Sequence, residues 1–136
     1  MKNILVPLDG TERSLQSVQL VKELFDPKEV NITLLTVRED YKSPEALYET
    51  EKVVKETLPM LESAAKRLVG YSVKEHVGFG QAGETILEYA ESNGMDTIII
   101  SRATHSGWSM FVGSVAVHIV KYAKCIVIIV PEKEKK

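Results

Sequence analysis

The feature that most restricts the fold is a set of four short runs rich in Val, Ile and Leu and one that alternates polar and apolar, each separated from the next by a stretch with helical spacing. Near-continuous apolar runs belong to strands buried on both faces, which come from parallel sheets covered by helices. Asn3-Ile4-Leu5-Val6-Pro7-Leu8 is the first, broken by Asp9-Gly10. From Thr11, Leu15, Val18, Val21, Leu24 and Phe25 fall on one helical face, and Asp26-Pro27 stops that helix. Residues 30–37 form the second strand, and a strand, helix, strand order demands a right-handed parallel crossover.

The polar residues 38–43 make a loop at the carboxyl end of the second strand, where ligands of open parallel sheets gather. A long helix starts at Ser43-Pro44 and runs through Leu47, Val54, Leu58, Leu61, Ala65 and Leu68; Pro59 inside it predicts a kink rather than a break. Residues 71–77 alternate polar and apolar, as a strand near a sheet edge does. Residues 83–92 form a helix ended by Asn93-Gly94, residues 97–100 a buried strand, residues 113–122 an apolar helix and residues 125–130 the last strand. Five strands alternating with four helices give an α/β, three-layer, doubly wound sandwich whose parallel sheet has the order 3-2-1-4-5. The 136 residues suit one domain, residues 1–131, followed by a charged tail at 132–136 expected to be disordered.

Charge excludes some functions. Seventeen Lys and Arg against nineteen Asp and Glu leave a net charge of −2, no field for a polyanion, so a nucleic-acid partner is not expected. No apolar stretch reaches the roughly 18 residues of a membrane span. The single cysteine, Cys125, and a start without a secretory pattern favour a cytoplasmic protein.

Gly78-Phe79-Gly80-Gln81-Ala82-Gly83 matches the dinucleotide fingerprint G-x-G-x-x-G, but the preceding strand is half polar and Ile98 to Ile100 stand where the ribose-binding acid belongs. A turn before a helix explains it better. Asp9 aims a carboxylate at the crevice outside the strand ends, with Thr11 as the expected helix cap. Gly113-Ser114 opens a helix whose first amides suit a phosphate. His76, His105, His118 and Cys125 have no metal-ligand spacing, and Asp9, His105 and Ser106 lack the G-x-S-x-G elbow of a hydrolase triad. Trp108, Met110 and Phe111 read as packing residues, and the P-loop G-x-x-x-x-G-K-[ST] is absent.

In order, Ile4 to Thr11, Leu34-Leu35-Thr36-Val37, Gly83-Glu84-Thr85-Ile86 with Ala90, and Thr104-His105-Ser106-Gly107 with Gly113-Ser114-Val115-Ala116 resemble the universal stress protein family over nearly the whole chain. The resemblance implies this same sandwich, related to the adenine-nucleotide alpha-hydrolase-like fold, and dimerisation. The family includes members that bind nucleotide and members that do not bind ATP. It places Asp9 near adenine and ribose, with Pro7 beside it among the contacting positions. Val37 lines the adenine pocket, Ile99 offers backbone to the base, and Arg102, Gly113, Ser114 and Val115 belong to the phosphate end. The family's motif G-x2-G-x9-G-[S/T] reads here as Ile100-Ser101-Arg102-Ala103, nine residues, then Gly113-Ser114, so two of three glycines are replaced. Glycine there permits positive φ and close backbone approach, which a β-branched Ile100 resists.

Two functions follow as expectations. One is a dimeric stress-response protein with a weak or altered site for ATP or another adenine nucleotide. The other is an interaction module of the same fold that binds no nucleotide. Neither is an enzyme. The edge strand Cys125-Ile126-Val127-Ile128-Ile129-Val130 is expected to pair with its own copy.

Overall fold

The computed structural model describes residues 2–41, 47–102 and 114–131. Its elements are β1 (Lys2–Pro7), α1 (Leu15–Leu24), β2 (Val30–Arg38), α2 (Leu47–Ala65), β3 (Ser72–Phe79), α3 (Ala82–Ser92), β4 (Thr97–Ser101), α4 (Ser114–Tyr122) and β5 (Ile126–Val130). All strand pairs are parallel and the order is β3-β2-β1-β4-β5, as the runs and the crossover rule predict. The order reverses direction at β1, and α1, which follows β1, covers one face of the sheet while α4, which follows β4, covers the other; such a reversal marks the carboxyl end of the sheet as the place for a crevice.

Burial explains why the runs become strands. Ile4, Leu5, Val6 and Leu8 are solvent-excluded, as are Ile98 and Ile99. One face packs Ile4, Val6, Ile32 and Leu34 against Val18 and Val21 of α1 and Leu61 and Ala64 of α2. The other packs Leu5, Leu35, Ile98 and Ile100 against Ala82, Ile86 and Ala90 of α3 and Val115 and Ile119 of α4. Adjacent residues of β1 thus feed opposite cores, the period of two that a doubly covered strand requires. The polar alternation of β3 belongs to a sheet edge, and α2 runs through Pro59 without a break.

Two local expectations are corrected. Thr11 precedes a single 3₁₀ turn, Glu12–Ser14, yet its hydroxyl makes no cap; instead its carbonyl accepts the Ser14 N–H at 3.2 Å and the Ser14 hydroxyl at 2.7 Å. Ile100 is 3% exposed with its side chain in the core under α3 and α4, so its bulk does not project into the crevice. The tail 132–136, Ala103, Gly113, the His105, Ser106, Trp108, Met110 and Phe111 segment, and the Ser43-Pro44 helix start lie outside the described residues.

Candidate nucleotide site

Beyond the carboxyl ends of β1 and β2 lies an open cavity of about 550 Å³, lined by Asp9, Gly10, Thr36, Val37, Arg38, Glu39, Asp40, Glu56, Thr57 and Met60. Its floor is the end of β2 and its side is α2, where Glu56, Thr57 and Met60 sit on one helical face.

Asp9 follows the last turn of β1 and is tied in place. One of its oxygens, Oδ1, accepts the Thr11 N–H at 2.9 Å and also the Thr11 hydroxyl. Gly10 permits this turn because its φ is +87°, a left-handed value that a side chain resists. The aspartate is thereby held while Oδ2 makes no hydrogen bond among the described residues.

Arg38 closes the opposite rim. Its Nε and Nη2 donate to the two oxygens of Asp40 at 3.0 and 2.7 Å, and its Nη1 donates to Thr57 Oγ1 at 2.8 Å. The hydrogen bonds from Arg38 hold the Asp40 carboxyl below its ordinary pKa. The Glu39 carboxylate points elsewhere and accepts the Ala82 N–H at 3.0 Å, at the start of α3. Among the described residues, the carboxylates of Asp9, Asp40 and Glu56 and the guanidinium of Arg38 thus face the cavity, so its surface favours the neutral, donor-bearing part of a ligand over a phosphate chain.

Of the eight site residues read from the sequence, Asp9 and Val37 come together in this cavity. Pro7 is buried at the end of β1, and Ile99 is buried in β4 with its side chain toward α1 and α2. Arg102 is exposed just after β4, its N–H donating to the Val130 carbonyl at 2.8 Å. Val115 is 5% exposed in the core beneath α4, while Gly113 and the Ser114 side chain lie outside the described residues. The lining residues Arg38, Glu39 and Asp40 carried a signal, a polar run at a strand's carboxyl end. Thr57 and Met60 carried none, because only the folded contact of α2 with the end of β2 brings them in.

The G-x-G-x-x-G stretch has a structural explanation. Gly80 has φ +126°, and a Cβ on Gly83 would stand 2.8 Å from His118 Cδ2, so these glycines serve a turn and the contact of α3 with α4. The α3 amide that a pyrophosphate would seek is bonded to Glu39. Among the described residues no cluster of His, Cys, Asp and Glu could hold a metal ion, and no helix is long and apolar enough to cross a membrane.

Comparison with known proteins agrees with the architecture. The model of the universal stress protein family matches residues 1–131. Universal stress protein MJ0531 of Methanocaldococcus jannaschii is 28% identical over 145 residues, covering 99% of this chain and 85% of that protein. The solved structure of hypothetical protein MJ0577 is 30% identical with a TM-score of 0.81, covering 98% of each chain. A universal stress protein solved in complex with cAMP is 17% identical with a TM-score of 0.73, covering 96% of each chain, a likeness of fold.

Proposed function

The chain belongs to the universal stress protein family, and on that premise we propose that it is a homodimeric stress-response protein that takes an adenine nucleotide, weakly, in the cavity at the ends of β1 and β2. The observation that carries this reading is the meeting of Asp9 and Val37 in one cavity of about 550 Å³, large enough for a nucleoside. A relative of the same fold was solved with cAMP. In this reading Asp9 accepts from ribose or the base edge through Oδ2, and the phosphates point away from the carboxylate-lined wall, toward Arg102 and the start of α4. Weak affinity follows from the backbone freedom lost where Ile100 and Ala103 replace the family motif's glycines, not from the bulk of Ile100, which is buried in the core.

A change of state on binding requires different affinity for two conformations. The protein acts as a binder and not a catalyst, and the homodimer forms through β5, which the sheet leaves at an edge. A cytoplasmic setting suits Cys125, whose thiol is pushed above its ordinary pKa by burial and then by Asp96, and so stays protonated.

The second reading, an interaction module without nucleotide, is favoured by Ile100, which extends β4 in register with Ile129 where the family motif has glycine. Acid denaturation of protein purified without added ligand, followed by titration of the native chain with ATP and AMP in a calorimeter, separates the two. Released nucleotide or saturable heat supports the first reading; neither, with the fold intact, establishes the second.

A further inference from the structure

We propose that Arg38 is the positioning residue of this cavity: it fixes the wall formed by residues 37–40 against α2, and nucleoside binding depends on that wall without Arg38 holding a phosphate. The inference rests on the adenine-nucleotide reading above.

Arg38 is the last residue of β2 and joins three segments at once. Its guanidinium grips both oxygens of Asp40 at 3.0 and 2.7 Å and reaches Thr57 Oγ1 at 2.8 Å. The Thr57 hydroxyl spends its proton on the Val53 carbonyl at 2.7 Å, so the lone pair facing Arg38 is fixed relative to α2. The Arg38 carbonyl accepts the Tyr41 N–H at 3.4 Å and the Gly80 N–H at 3.5 Å, and the guanidinium lies 5.3 Å from the Tyr41 ring centroid. On either side of it in sequence stand Val37, which lines the cavity, and Glu39, which is bonded to α3.

Two features make this a matter of ligand geometry rather than of stability. The Arg38 and Asp40 side chains are 26% and 60% exposed, and ion pairs so open to water contribute little to folding. The edge of the guanidinium that could take a phosphate already holds Asp40, so a phosphate would have to displace a carboxylate of this chain. Lysine cannot replace the planar fork that serves a carboxylate and a hydroxyl together.

The test uses the full chain and the variants Arg38→Gln, Arg38→Lys, Asp40→Asn, Arg38→Gln with Asp40→Asn, and Thr57→Val. Each is titrated separately with adenosine and with ATP, and its urea midpoint is measured in parallel. The expected result is a loss of about tenfold in affinity for adenosine and ATP alike in Arg38→Gln, with no rescue by lysine. The double variant should bind no more weakly than Arg38→Gln alone, since the two groups act as one unit. Thr57→Val should reproduce the loss without altering any charge, and it decides the question if Arg38→Gln does not fold. Unchanged affinity in folded variants overturns the inference and leaves the nucleotide reading standing. A loss confined to ATP also overturns it, because Arg38 would then be a direct phosphate ligand. A wild-type chain that binds neither adenosine nor ATP overturns the nucleotide reading itself, and this inference with it.

Discussion

Asp9 reaches both the local chain and the cavity: Oδ1 holds the turn through Thr11, and Oδ2 makes no hydrogen bond among the described residues. Its place at the end of an apolar run made it legible in the sequence, as did the β2 position of Val37. The partnership of Arg38 with Thr57 was not legible, because it joins residues nineteen apart through a helix whose rotation no local pattern fixes. Two further predictions belong to single residues. Glu75 in β3 is half-buried, and its Oε1 has no hydrogen-bond partner among the described residues. Burial and then Glu62 raise its pKa, so the folded state holds this proton more firmly than the unfolded chain, and stability falls as pH rises through the raised range. Glu75→Gln should therefore stabilise the protein at pH 7 and lose that advantage near pH 4, as urea midpoints at the two values will show. Gly83 is the second case. Its missing Cβ is the space His118 occupies, so Gly83→Ala overpacks the contact of α3 with α4 at a cost of ~1–3 kcal/mol, against at most ~1 kcal/mol gained in helix propensity. The net loss should shrink in a His118→Ala background, measured as a double-mutant cycle.

The elements were more legible than the contacts between them. Apolar runs identify β1, β2, β4 and β5 because burial on both faces leaves few polar positions, alternation identifies β3, and the order 3-2-1-4-5 satisfies the crossover rule. Boundaries moved by one or two residues where a strand's last residue is polar: β2 takes in Arg38 and β4 takes in Ser101. Val127 and Ile129 pack on the core beneath α3 and α4, so a lysine at either would test folding as well as assembly. Ile126 is 61% exposed at the start of the edge strand, with Val117 and Val120 of α4 also exposed at 64% and 58%. If two copies pair through β5, Ile126→Lys should shift sedimentation toward monomer while leaving the urea midpoint of the monomer nearly unchanged, since a charge on an edge strand opposes strand addition. A wild type that already sediments as a monomer would falsify the β5 pairing.

At the scale of the whole molecule, the question is whether such a sheet turns ATP over or only holds it. Phosphoryl transfer needs cations and amides gathered around three equatorial oxygens, with the attacking and leaving groups in line. Nowhere do the 136 residues contain the P-loop pattern with its lysine. Among the described residues the cavity is faced by the carboxylates of Asp9, Asp40 and Glu56 and by one guanidinium already bound to Asp40, a surface that opposes charge building on a phosphate. Asp9 could orient a water, but its fixed oxygen is committed to Thr11. Binding without turnover should then appear as pure linkage. Ligand at 100 times its dissociation constant stabilises the native state by ~2.7 kcal/mol, which for a domain of this size raises the melting temperature by on the order of 10 °C. A thermal scan with saturating ATP should show that rise, and an assay of the same sample for ADP and inorganic phosphate should show turnover far below about one per second, the low end for ordinary enzymes. Turnover at or above that rate, lost in Asp9→Ala while the melting curve stays cooperative, would make this chain a catalyst and Asp9 its base.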